Sequence, residues 1–370
     1  MQITKEHILI QEVARKFARE TILPLAKKYN KEKIFPKDII KKAGELGLMG
    51  MLVSEKYGGS NFDMTSYCLV LEEIAYACPS TAIIISVNNM VAWAIETFGD
   101  EEQKSKYLPL LCSGDNVAAF SSTEPDAGSD MASINTKAQK DGDYYILNGI
   151  KIFVTSGSNA KLIFVTAKTD DKISSFLVEK DTPGLTIGKY EDKMGLCASD
   201  TVELIFENCR INKKQRLGEE GNFKIPLYAL NHGRVGVASQ CVGIAQACFD
   251  EAINFAKQRK QFGKYLFEFE GIQWMIAEMA TKIEASRALT LHAASLKDQG
   301  KEFIKEASMA KLFASQVANE VAYTALQIHG GYGYTKEYRI EQLYRDARVT
   351  SIYEGTSEIQ KLIIAKQIFK

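Results

Sequence analysis

Apolar residues in the first hundred positions recur at three- and four-residue steps. Ile39, Ile40, Ala43, Leu46 and Leu48 form one such set. Leu69, Val70, Ile74 and Ala77 form another, within Ser66–Ala77. This spacing stacks apolar side chains on one helix face. Prolines at 24, 36, 79 and 109 punctuate the patterns, so residues 1–115 are expected to form a helical domain. The most apolar stretch, TAIIISVNNMVAWAI from Thr81 to Ile95, is interrupted by Asn88 and Asn89. It reads as a buried helix rather than a membrane span.

The pattern changes near residue 117. YYILNGIKIFVTSG carries Asn148-Gly149 between apolar runs, a strong hairpin signal. KLIFVTAKT, SSFLVEK and TVELIFENC are short and rich in β-branched and aromatic residues, so residues 116–222 are expected to form a small β domain. No proline follows Pro226. The long patterns IQWMIAEMATKIEASRALTLHAASL and EASMAKLFASQVANEVAYTALQIHG predict an antiparallel bundle over 223–370. Helix, strand, helix is the order of an α+β fold, and it argues against the βαβ alternation of nucleotide-binding sheets.

Composition narrows the function. With 46% apolar and 25% charged residues the chain reads as a soluble globular protein. Lys plus Arg equals Asp plus Glu, 46 against 46, so the basic excess of a nucleic-acid binder is missing. The opening MQITKEHILIQEVARKFARE is an amphipathic charged helix without the apolar core of a signal peptide. Seven cysteines form no CxxC pair, so reduced thiols in the cytoplasm are expected. Four histidines show no ligand spacing, and no metal site is expected.

Four stretches can carry chemistry. STEPDAGSD (Ser122–Asp130) clusters hydroxyls and backbone N–H groups that suit a flat polar heterocycle or a phosphate, although composition alone reads it as a surface loop. RKQFGK (Arg259–Lys264) reads as a helix end stopped by Gly263, with Arg259 and Phe262 on one face. Arg suits a pyrophosphate and Phe a ring; dipole compensation is the plainer reading. QIHGGYGY, from Gln327, frees the backbone for a close approach. In IYEGTSEIQ (Ile352–Gln360), Ser357 and Gln360 have capping-box spacing, which places Glu354 at a loop-to-helix corner. A solvated turn acid and a catalytic base both fit that corner.

Taken together, these stretches resemble the acyl-CoA dehydrogenase family, and the resemblance spans the whole chain. VSEKYGGSNFD, KIFVTSG, KMGLCASDTVELIFENCRI, GRVGVASQCVGIAQ and RDARVTSIYEGTSEIQ are similar to its motifs. The resemblance implies a helical N-terminal domain, a middle β domain and a C-terminal four-helix bundle. It implies FAD, an acyl-CoA substrate oxidised to the trans-2-enoyl-CoA, an electron-transfer flavoprotein as acceptor, and a homotetramer built as a dimer of dimers. Phe120, Thr123, Gly128, Ser129, Phe153, Val154 and Thr155 would meet the flavin, with Thr356, Ser357 and Glu358 returning to it. Arg259, Phe262, Gln327, Gly330 and Gly331 would reach the FAD of a partner subunit. Ser129, Arg234 and Gly355 would line the acyl-CoA site.

Glu354 would take the α-proton while FAD N5 receives the β-hydride. The family's other base position is Gly233 here, so Glu354 has no rival. Phe153, Cys197, Asn231, Glu270 and Gln342 depart from the usual residues. Ser86–Asn89, SVNN, is similar to short-chain, butyryl-type members. Branched-chain, glutaryl-type and enoyl-CoA-reducing relatives share the fold, and a flavin-less interaction scaffold is the reading from another class.

Overall fold

Nearly every side chain of two successive helices, α4 and α5, is buried, and the rest of the N-terminal half is arranged around them. The computed structural model describes residues 3–370. α1 (Lys5–Phe17) starts on a reciprocal cap between Thr4 and His7 and runs through a π-helical turn, Ala18–Ile22, into α2 (Leu23–Glu32). α3 (Lys37–Glu45), α4 (Met64–Ala77), α5 (Pro79–Phe98) and α6 (Glu101–Cys112) follow. α5 is long and apolar enough to cross a membrane, but 83% of its most apolar window is buried inside the fold.

Asn88 and Asn89 explain how amides survive in that core. Asn88 Nδ2 donates to Met49 O (2.8 Å) and Leu111 O (3.3 Å), and its Oδ1 accepts from Ala118 N (2.9 Å). Asn89 Nδ2 donates to Leu48 O (3.0 Å) and Ile85 O (2.9 Å), while its Oδ1 accepts from Met51 N (2.7 Å). A buried amide is tolerated when its hydrogen bonds are made, and here they staple the 48–51 loop and the first strand to α5.

The sheet is built from β1 (Ala118–Ser121), β2 (Lys137–Asp141), β3 (Tyr144–Thr155), β4 (Leu162–Thr169), β5 (Lys172–Glu179), β6 (Leu185–Tyr190), β7 (Thr201–Asn212) and β8 (Arg216–Leu217). The strand order is β6-β7-β3-β2-β4-β5-β8, with β1 parallel to β4. The hairpin expected at Asn148-Gly149 does not form there. β3 continues through both residues, and its pairing with β7 slips between Leu147 and Gly149. A Cβ on Gly149 would stand 2.7 Å from the Cα of Thr136, so this glycine serves a bulge and a close strand approach. The turn lies instead between β2 and β3, at Gly142 (φ +60°).

The C-terminal half packs α7 (Lys224–Gln258), α8 (Glu270–Asp298) and α9 (Ile304–His329) with α10 (Arg339–Arg348) and α11 (Ser357–Ile368). Pro226 sits in the first turn of α7, where a missing N–H costs nothing. Gly263 is not a helix stop. α7 ends at Gln258, and Phe262 (φ +50°) and Gly263 (φ +78°) form the two-residue turn between β9 (Lys260–Gln261) and β10 (Lys264–Tyr265). The β domain is tied to the bundle through Asp346 on α10. Its buried carboxylate accepts from Leu196 N (2.6 Å) and Gln342 Nε2 (3.3 Å), and burial pushes it up to about 6.

Candidate active site

Two successive left-handed residues place Glu354. The chain leaves α10 through a 3₁₀ turn, Val349–Ser351, and Tyr353 anchors it by donating to Gln240 Oε1 on α7. Glu354 (φ +50°) and Gly355 (φ +92°) then turn the corner. For a residue with a Cβ that conformation costs about 1–2 kcal/mol, so surrounding bonds must hold it. Lys311 Nζ on α9 donates to Gly355 O (2.7 Å), and Gln360 Nε2 donates to the same oxygen (2.8 Å) and to Glu354 O (3.3 Å). The cap of α11 falls one residue earlier than the Ser357/Gln360 spacing predicts. Thr356 is the N-cap and accepts from Ile359 N, while the buried Gln360 side chain is occupied by the corner carbonyls.

Glu354 is half-buried as a residue, but its Oε2 is sealed from solvent and has no hydrogen-bond partner. Burial pushes the carboxyl up to about 7, against the pull of Lys311 and Arg234. That position suits a proton acceptor working near neutrality. Opposite it on α7 lies Gly233. A Cβ there would overlap Oε2 of Glu354 and would stand 2.8 Å from its Cδ. One turn further, a Cβ on Gly236 would stand 2.7 Å from both Ser86 Oγ and Tyr67 Oη, two hydroxyls bonded to each other at 3.0 Å. The bare face of α7 thus meets α4 and α5 at backbone distance.

Arg234, only 6% exposed, bonds Asn231 Oδ1 and leaves its Nε without a partner. Asn231 therefore has a visible role as the acceptor for Arg234. Neighbouring His232 stacks on Trp93 with ring centroids 3.5 Å apart, and burial lowers it to about 3, so it is neutral.

The residues expected to hold FAD fall into two groups. In the first, Phe120 stacks on Phe164 (4.9 Å) and joins the apolar cluster against which Val349 and Tyr353 also pack. Thr123 O accepts from Ile152 N (2.9 Å), which fixes the loop to β3. Phe153 is 60% exposed at φ +56°, Val154 is buried and Thr155 is half-buried. Gly128 and Ser129 are exposed. The hydroxyls of Ser121 and Ser156, at the ends of β1 and β3, are buried without partners. Exposed aromatic surface, unpaired hydroxyls and loop N–H groups are what a flat heterocycle rich in carbonyl and ring-nitrogen atoms would engage. The N-terminus of α11, with Thr356, Ser357 and Glu358, adds free N–H groups.

The second group lies elsewhere. Arg259 sits over the Tyr332 ring (5.3 Å), which joins the RKQFG turn to the Gly330–Tyr334 turn. Arg259 and Phe262 share no helix face, because α7 has already ended. Phe262 is 94% exposed, and Gln327, Gly330 and Gly331 are exposed. Arg234, a third of the way along α7, and Gln258 at its end stand roughly 36 Å apart at 1.5 Å per residue.

Sequence reasoning missed the supports. Lys151 and Glu124 form a buried ion pair (2.8 Å) under the STEPDAGSD loop. Lys151 Nζ also donates to Ser122 O (3.0 Å), and Glu124 accepts from Thr136 N (3.0 Å) and Asn135 N. Burial pushes Lys151 down to about 8. A lysine in a strand of apolar neighbours was the available signal. Asn88 and Asn89 of SVNN are committed to loop and strand backbone, so they carry no substrate information. Gln342 is likewise structural, and Glu270 is exposed at the start of α8. A surface cleft of about 460 Å³ lined by Tyr107, Lys161 and Lys180 lies outside the constellation.

Family models agree with this geometry. Residues 4–115 match the acyl-CoA dehydrogenase N-terminal domain, 119–209 its middle domain and 222–369 its C-terminal domain. An acyl-CoA dehydrogenase of Bacillus subtilis (strain 168) is 48% identical over 100% of this chain and 99% of its own. A chain from a structure of the electron transferring flavoprotein of Acidaminococcus fermentans superposes with a TM-score of 0.98 at 44% identity, covering 100% and 99% of the two chains. Butyryl-CoA dehydrogenase from Megasphaera elsdenii superposes at 0.97 with 40% identity and complete coverage of both.

Proposed function

The chain belongs to the acyl-CoA dehydrogenase family, and on that premise we propose that Glu354 is the base of a short-chain acyl-CoA dehydrogenase. The protein is an FAD-dependent oxidoreductase acting on acyl-CoA. The observation that carries the base assignment is the sealed, partnerless Oε2 of Glu354 facing Gly233.

Bound FAD supplies the two-electron acceptor for the β-hydrogen. Phe120, Thr123, Gly128, Ser129, Phe153, Val154, Thr155, Thr356, Ser357 and Glu358 would hold it within one chain. Arg259, Phe262, Gln327, Gly330 and Gly331 would reach the cofactor of a neighbour. The separation along α7 between Arg234, which would line the acyl-CoA, and the Arg259 turn supports a shared site, and with it the homotetramer we propose.

The protein's own part is to create a strong enough base. A thioester α-proton is far too weakly acidic for a carboxylate in water. In the dry corner Glu354 Oε2 loses its solvation, becomes more basic and accepts the proton there. Arg234 and Lys311 supply positive charge beside it. The Glu354 N–H, at the same corner, is the proposed donor to the thioester carbonyl. Ser129, Arg234 and Gly355 would line the acyl-CoA.

The short-chain reading comes from the chain's relatives rather than from the contact where Gly236 abuts Ser86 and Tyr67. The similarity to butyryl-CoA dehydrogenase supports it. An electron-transfer flavoprotein is the proposed acceptor, in keeping with the chain solved from Acidaminococcus fermentans. The test is a panel of acyl-CoAs with an artificial acceptor, anaerobically, with the matching enoyl-CoAs assayed in reverse. Butyryl-CoA should be turned over best. Faster turnover of octanoyl- or palmitoyl-CoA overturns the short-chain reading.

A further inference from the structure

Lys311 stands out among the buried charges because it lies against the corner rather than in a structural ion pair. Glu72 has Arg287, Glu73 has Arg15 and Arg19, and Lys151 has Glu124. Lys311 is fully buried on α9 and, among the described residues, has no carboxylate within salt-bridge distance. Its side chain donates to Gly355 O at 2.7 Å. That carbonyl belongs to the second of the two left-handed residues that aim Glu354.

The groups that share its surroundings are few. Arg234 and Cys241 face it from α7, Glu354 from the corner and Glu358 from the start of α11. Tyr67 on α4 and Tyr353 face Glu354, and both phenols are held protonated by burial. Among the described residues, Lys311 and Arg234 bring positive charge to the Glu354 carboxylate.

We propose that Lys311 is a positioning residue for the base: its ammonium fixes the Gly355 carbonyl, and so the Glu354 turn, and its charge holds the carboxylate in its anionic form. The proposal rests on Glu354 being the base. Gln360 shares the Gly355 carbonyl from the opposite side, so the oxygen is clamped between α9 and α11. An uncharged side chain at 311 would leave that clamp one-sided. It would also remove one of two nearby positive charges, so Glu354 would hold its proton to higher pH. Burial already pushes Lys311 itself down to about 8, so its charge fades, and its help with it, as pH rises past that value.

The experiment is an infrared pH titration of Glu354, read as wild type minus Glu354→Gln, beside the kcat and KM profiles. In Lys311→Met the Glu354 midpoint should rise by about half a pH unit or more. At pH 7 kcat should fall roughly tenfold or more, with KM changed by less than about threefold. Lys311→Gln keeps a donor without charge and should show the raised midpoint with a smaller loss at alkaline pH. It carries the test if the methionine variant does not fold. Lys311→Arg should keep the midpoint. An unchanged midpoint in both uncharged variants overturns the proposal. If Glu354→Gln itself keeps the wild-type rate, the base assignment fails and takes the proposal with it. If Glu354→Gln is inactive while Lys311→Met behaves as wild type, the base stands and only the role of Lys311 falls.

Discussion

Gly233 on α7 and Glu354 at the α11 corner meet so closely that a single added carbon at 233 would overlap the Glu354 Oε2. Met90 Sδ closes the same space at 3.0 Å from that carbon's position. The missing side chain at 233 therefore leaves the Glu354 carboxylate its place.

Gly233→Ala is expected to lower the rate of flavin reduction by roughly 10²-fold, the cost of about an ångström of misplacement. FAD content should stay near wild type, because residue 233 touches none of the proposed flavin contacts. Stopped-flow bleaching with butyryl-CoA, without oxygen, measures it. A wild-type rate would show that Glu354 does not act from this position.

Glu354→Gln is expected to lose about 10²–10⁴ in rate or more. It should remain yellow, since Thr356 still caps α11. In the wild type the base works only when ionised. The kcat/KM profile should therefore rise with pH through an acid limb near 7, where burial places the carboxyl. An acid limb near 4.5 would mean that the carboxyl is solvated.

The same variant should be more stable than the wild type, but only above a threshold pH. Unfolded, the carboxyl ionises at its ordinary 4.5; folded, at about 7. Between those values the native state holds the extra proton, so stability falls as pH rises. Above about 7 the full cost is present, about 3 kcal/mol at 1.36 kcal/mol per pH unit. Melting of Glu354→Gln should exceed wild type at pH 8, with the gap shrinking toward pH 5. A gap independent of pH would contradict the desolvation argument.

Lys151→Met should cost about 3–5 kcal/mol, because it leaves the Glu124 carboxylate buried without its counter-charge. The loop above it, with Thr123 and Ser129, should loosen and release FAD more readily. The double variant Lys151→Met, Glu124→Gln should recover part of the loss. Denaturant titration and flavin retention on gel filtration report the two effects. Equal stability of Lys151→Met and wild type would mean the pair is not closed to water.

Long elements with one continuous period were legible from the chain. Leu69, Val70, Ile74 and Ala77 mark α4, and the proline-free run after Pro226 marks the bundle. Two-residue features were not. Asn148-Gly149 suits a hairpin turn and a bulge equally, and the nearby Thr136 backbone decides between them. Arg259–Lys264 reads as a helix end because β9 and β10 are too short to show alternation. The corner that carries Glu354 was legible because it is local in sequence. Lys311 and Glu124 were not, since each acts on a group brought near only by folding: the Gly355 carbonyl and the Lys151 ammonium.

The length of α7 has a genetic corollary. A lesion at Glu354, across from Gly233, and a lesion at Arg259, just past Gln258, are separated by most of this helix, so in a shared site they damage different cofactor pockets. When two such defective chains are expressed together, half of each mixed dimer inherits both lesions and the other half inherits neither. Alleles so separated along α7 should complement one another. Alleles in the same group should not, and a chain defective in both groups should poison one site in every partner it meets.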